Sequence, residues 1–128
     1  MQRRALLVSL GTGVTAGCVG IFNDPEATLG HFDLMNYDDE PHVFRVRIER
    51  DGSTVHRFSR RVEHDDPIAI PVADRTWGTT PGRYTLSVSV GSAHTHATFT
   101  KRGCHDVILD YRSGNVGIFS HNDGPGCR

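Results

Sequence analysis

From residue 30 onward, apolar and polar positions alternate in short runs broken by turn residues, which predicts strands and no helix. Residues 43–50 (VFRVRIER) are the plainest case: Phe44, Val46 and Ile48 face one way, while Arg45, Arg47 and Glu49 face the other. Asp51-Gly52 follows, a hairpin signal because both residues tolerate positive φ. In the return strand, 54–62, Val55, Phe58 and Val62 fall out of strict alternation, which predicts a bulge. Thr80-Pro81-Gly82 turns the chain into the cleanest strand, 83–90, with Tyr84, Leu86, Val88 and Val90 on one face. Gly91-Ser92 leads into 93–100, where Ala93, Ala97 and Phe99 point inward and His94 and His96 emerge together on the solvent side. Weaker strands are read at 32–35, 107–109 and 116–119, and at 67–72, where two prolines withhold ladder donors and suit an edge. About eight strands with turns roughly every eight to twelve residues predict an antiparallel sandwich or barrel.

The first 29 residues break this pattern. Arg3 and Arg4 give a positive start, residues 5–16 are apolar or small without charge, and Val14-Thr15-Ala16-Gly17 supplies small side chains before Cys18. This is the layout of a secretory signal peptide, and its apolar run is too short to cross a bilayer as a helix. Gly11 and Gly13 argue against a buried strand or helix there. Residues 19–29, with Asn23-Asp24-Pro25-Glu26, lack periodicity and read as a tether. The chain thus divides into a signal peptide (1–17), a tether starting at Cys18 (18–29) and one β domain (30–128).

Three resemblances sit on these residues. Thr15-Ala16-Gly17-Cys18 resembles the lipobox of lipoproteins, which implies lipid attachment at Cys18. Arg3-Arg4 followed by Ala5-Leu6-Leu7 resembles the twin-arginine export signal, although Gln2 stands where Ser or Thr is usual and no Phe follows. Together the segment is similar to the leaders of haloarchaeal lipoproteins, which implies a cell-membrane, lipid-anchored protein on the extracytoplasmic face. The run Pro81-Gly82-Arg83-Tyr84-Thr85-Leu86-Ser87-Val88 resembles a strand of immunoglobulin-like extracellular sandwiches. It implies an immunoglobulin-like β-sandwich of seven to eight strands, without the Cys-Trp-Cys spacing of antibody domains.

Charge changes the picture little. Beyond Cys18 the chain carries all 15 acidic residues and 12 of the 14 basic ones, a net of about −3 with His neutral, so no nucleic-acid partner is expected. Arg outnumbers Lys 13 to 1, and the expected place for these charges is a solvated face. With Cys18 lipidated, Cys104 and Cys127 remain, and a disulfide that pins the Gly/Asn-rich tail is the natural reading. The alternative is a pair of free thiols near His105 and His121, able to hold a metal.

Eight histidines are the compositional oddity. His94 and His96, two apart on a strand, could supply two ligands to zinc or copper, with His105 or His121 as a third. Signatures of catalysis are absent: no G-x-S-x-G elbow, no H-E-x-x-H pair, no phosphate-binding glycine loop. Glu63-His64-Asp65-Asp66 reads as a solvated turn, since adjacent like charges repel when desolvated. The expectation is therefore a non-enzymatic binding or structural module, without cofactor, that meets an extracytoplasmic protein or ligand. Its contact surfaces are expected in the loops 37–42 and 73–79. Trp77 is the candidate contact residue, unless its ring folds back over the core. The alternative function is a metal-binding surface lipoprotein using His94 and His96.

Overall fold

The computed structural model describes residues 26–71 and 76–127. Arg3, Arg4 and Cys18, and with them the signal peptide and the lipid site, lie outside the described residues. The all-β sandwich expected from the sequence is the fold: eight strands in two four-stranded sheets. The strands are β1 (Ala27–Asn36), β2 (His42–Arg50), β3 (Ser53–Val62), β4 (Ile68–Pro71), β5 (Tyr84–Val90), β6 (Ala93–Phe99), β7 (Gly103–Arg112) and β8 (Asn115–Asn122). One sheet, called the front sheet below, has the order β3-β2-β5-β6; the back sheet has the order β4-β1-β7-β8. Strands β1 and β7 run parallel, and the other pairs are antiparallel.

The front sheet follows from alternation. Phe44, Val46 and Ile48 of β2 and Tyr84, Leu86, Val88 and Val90 of β5 are buried, and they meet Phe32, Leu34, Val107 and Leu109 of the back sheet. Burying a full-sized aliphatic or aromatic side chain contributes about 1.5–3 kcal/mol, so these positions carry the fold. At the hairpin, Asp51 (φ 52°) and Gly52 (φ 88°) both adopt the left-handed region that the turn needs. The bulge lies at Val55: His56 pairs with Ile48, yet Thr54 pairs with Glu49, leaving Val55 as the extra residue. That one insertion is why Val55 is out of phase with Phe58 and Val62.

Elsewhere the structure corrects the reading. Ala27, Thr28 and Leu29, assigned to the tether, are the first residues of β1, paired in parallel with Gly103, Cys104 and His105. Ala27 and Leu29 are buried. Strand β7 extends well beyond 107–109 at both ends, through residues whose polarity hid it. Two stretches read as loop hold short turns, one α-helical at Thr76–Thr79 and one 3-10 at Pro125–Cys127. No helix among the described residues is long and apolar enough to cross a membrane.

Candidate functional site

Strand pairing assembles the outer surface of the front sheet from residues far apart in sequence. Register sets Ser59, Arg45, Ser89 and His94 side by side in one row across the four strands. The next row is Arg57, Arg47, Ser87 and His96. With strands about 4.8 Å apart, each row spans roughly 14 Å, and the rows lie about 7 Å apart. These side chains line an open depression of about 640 Å³. Arg45, Arg47, Arg57, His94 and His96 are exposed, as outward positions of half-buried strands should be.

Its electrostatics are lopsided. Arg47 stands directly opposite Arg57, and like charges so placed destabilise a sheet. Arg47 has Glu49 3.5 Å away, an ion pair largely open to solvent. No described carboxylate forms an ion pair with Arg45 or Arg57. Among the described residues the one aromatic side chain at the depression, Phe58, packs its ring inward on Phe32, and Ser59, Ser87 and Ser89 set hydroxyls beside the arginines. Such a surface can bind an anion with guanidinium forks and hydroxyl donors, and its serines bring no charge of their own.

The other candidates fall elsewhere. His105 is buried inside the sandwich, its ring against Phe99 with centroids 5.4 Å apart, its Nε2 2.9 Å from the Lys101 carbonyl oxygen. His121 stands on β8 of the back sheet, opposite Asp106. Neither residue joins His94 and His96 on the front face. Trp77 is half-buried and packs on the core, its ring stacked on His56 with centroids 4.5 Å apart. Its carbonyl oxygen accepts from Arg50 Nη1 at 3.3 Å and lies 2.8 Å from the Tyr84 hydroxyl, which also adjoins the Thr80 carbonyl. Burial pushes the Tyr84 hydroxyl above its usual value, with Arg50 opposing the shift. This residue is thus a strut between the helical turn and β5, and not a free anchor.

The loop between β1 and β2 spends its polar groups on itself. The Asn36 side chain donates to the carbonyls of Glu40 and Val62 and accepts from the Asp38 amide. His42 lies 2.6 Å from Asp38, and this hydrogen bond holds the Asp38 carboxyl below the usual carboxylate range. Arg112 covers the Tyr37 ring at 4.2 Å, and His42 packs on Tyr111. Residues 73–75 of the second predicted contact loop lie outside the described residues. Glu63, His64, Asp65 and Asp66 form an exposed turn, as their charges require.

Cys104 and Cys127 stand at disulfide distance, with Cα atoms 5.8 Å apart. They belong to a cluster the sequence did not reveal. Buried Asp106 accepts the amides of His31 at 3.0 Å and Gly126 at 2.9 Å. The His31 imidazole bridges Asp106, at 3.5 Å from Nδ1, and Asp33, at 3.1 Å from Nε2. Close approach demands glycine: a Cβ on Gly30 would come 2.7 Å from Cys127 Sγ and 2.9 Å from the Gly126 carbonyl carbon. Cys104, Asp106 and Cys127 bring ligand atoms within 4.8 Å of one another, but sulfurs bonded to each other are not thiolate ligands. The cluster fastens the C-terminal turn to the back sheet.

Against known proteins, the chain matches no family model, no curated protein and no solved structure.

Proposed function

We propose that this chain is a lipid-anchored, extracytoplasmic binding module that engages its ligand through the outer face of the front sheet. The observation that carries the choice of surface is the row of arginines on that face, Arg45 and Arg47 on β2 with Arg57 opposite Arg47. The leader supports the anchor through Arg3-Arg4, the short apolar run and the lipobox-like Thr15-Ala16-Gly17-Cys18. A disulfide between Cys104 and Cys127 suits an oxidising compartment outside the cytoplasm. The work is binding rather than catalysis: the depression is open, and although Ser89 stands opposite His94 and Ser87 opposite His96, no hydrogen bond joins either pair among the described residues. The second reading, zinc or copper on His94 and His96, shares the same face; three guanidiniums beside those imidazoles repel a cation and favour an anion.

Two measurements test this reading. Intact mass of the chain from its native membrane should begin at Cys18 and include lipid. A mass beginning at Met1, in the soluble fraction, would remove the anchor. Histidine-directed acylation of whole cells should spare His94 and His96 relative to purified protein, with exposed His64 labelled equally in both. Equal labelling of all three would remove the front face as the binding surface.

A further inference from the structure

Resting on the reading of the front face as the binding surface, we infer that its ligand is an extended acidic polysaccharide, held through sulfate or carboxylate groups. The face's own energetics give the first reason. Arg47 opposite Arg57, with Arg45 two residues along, concentrates three positive charges where a sheet is weakened by repulsion. Only Glu49 lies near enough to offset any of it among the described residues. A ligand carrying repeated negative charge removes that repulsion and gains paired N–H···O contacts from each guanidinium fork.

Shape separates the polyanions. A folded acidic protein seats aromatic or aliphatic anchors in a desolvated centre, whereas this depression is shallow and open and the one aromatic residue lining it among those described, Phe58, turns its ring inward onto Phe32. Single-stranded nucleic acid stacks its bases on outward-facing Phe, Tyr or Trp rings, and the depression presents none among its described residues. A hydrated sugar polymer asks for what is present: Arg45 and Arg47 about 7 Å apart along β2 with Arg57 one strand over, hydroxyls beside the charges, and an open trough about four strands wide. Ser87 and Ser89 line the middle of that trough, and His94 and His96 close its β6 side as further hydrogen-bond donors.

Placement suits a polymer as well. Strand β1 begins at Ala27, nine residues after Cys18, a reach of at most roughly 32 Å. The trough lies along the flank of the strands and not at the end where Ala27 enters, which leaves it open to a polymer running past the domain.

The test uses the purified full-length chain with four probes: sulfated dextran, uncharged dextran, polyglutamate, and phosphatidylglycerol vesicles. Two triple variants with the same net charge are compared with it. Arg45→Ser/Arg47→Ser/Arg57→Ser empties the face, and Arg60→Ser/Arg83→Ser/Arg102→Ser removes three arginines elsewhere. The inference expects saturable binding to sulfated dextran, none to uncharged dextran, weaker binding to polyglutamate, and vesicle binding that the two triples share equally. The face variant should bind sulfated dextran roughly 10- to 100-fold more weakly, as three partly screened ionic contacts would give, with the other triple within about threefold of the parent. Both variants are melted first, and the face variant should keep its melting temperature because it loses a repulsion. Should it fail to fold, His94→Gln/His96→Gln and Arg45→Gln singly replace it, with a loss of at least about threefold expected. Equal weakening by both triples, or no binding to sulfated dextran, would overturn the inference. So would tighter binding to polyglutamate, or vesicle binding that the face variant loses and the other triple keeps, which would name an acidic protein or the bilayer instead. Protection of His94 and His96 on cells alongside no affinity for sulfated dextran would sink the polysaccharide while leaving the binding surface in place.

Discussion

The two outer faces of this sandwich come from the same strand alternation and end with opposite character. On the front sheet, outward positions of β2 and β3 deliver Arg45, Arg47 and Arg57, and the strands on the far side add serines and histidines. On the back sheet, outward positions deliver Asp33, Asp106 and Asp110. Acidic charge there is consumed internally: Asp106 holds two backbone amides, Asp33 meets His31, and the C-terminal turn lies over the cluster. The C-terminal turn covers the Asp106 end of the back face, while Phe119 at its β8 side stays exposed; on the front face the arginines stand in water. The Asp106 cluster is thus satisfied from within the chain, whereas Arg45 and Arg57 form no ion pair with a described carboxylate and Arg47 has Glu49 alone.

That contrast can be broken at either face. The largest effect is expected at the back. Replacing Cys104 and Cys127 with Ser frees a loop of sequence separation 23 and should cost about 3 kcal/mol in chemical denaturation. Asp106→Ala strands the amides of His31 and Gly126 and should cost about 2–3 kcal/mol, without weakening sulfated-dextran binding. If either change left stability untouched, the back cluster would not be the fastening described.

Next in size is the strut at the start of β5. Tyr84→Phe takes a donor from the Trp77 and Thr80 carbonyls and should cost about 1–2 kcal/mol near neutral pH. Its hydroxyl is raised in the folded state, so the stability it contributes is fully present below about pH 10 and is lost as pH rises through the raised value. Melting curves of the parent should therefore fall more steeply above pH 10 than those of the Phe variant; parallel curves would refute the assignment. The smallest effect is at the front. Arg57→Ser, which relieves the repulsion with Arg47, should leave stability unchanged or raise it by up to about 0.5 kcal/mol. A loss above about 1 kcal/mol would mean that Arg57 holds the fold together rather than serving the open face.

How much of this was written in the sequence differs between the same two sheets. Strands β2, β5 and β6 carry strict alternation, so their inward and outward residues could be read directly, including the exposure of His94 and His96. Ala27 to Leu29 could not, because their strand partners are 76 residues away and run parallel, and only that pairing buries them. Polar Gly103, Cys104, His105 and Asp106 masked the start of β7 for the same reason: their partners are the tail and β1, not a periodic neighbour. Arg45 and Arg47 were legible as outward charges, yet Arg57 beside them was not. The bulge at Val55 sets which β3 residues share that face, and composition alone spread the arginines over an ordinary solvated surface. Trp77 was ambiguous until the partners of its carbonyl and ring were known.

The central claim is that ligand binding belongs to the open front face and not to the loops or the back face. Residue-resolved NMR of the isotope-labelled full chain, titrated with a short sulfated oligosaccharide, tests it most directly. The account predicts amide shifts concentrated at Arg45, Arg47, Arg57, Ser87, Ser89, His94 and His96, with Asp33, Ile108 and Asp110 silent. Shifts centred on Tyr37 to His42, or on the back face, would contradict it.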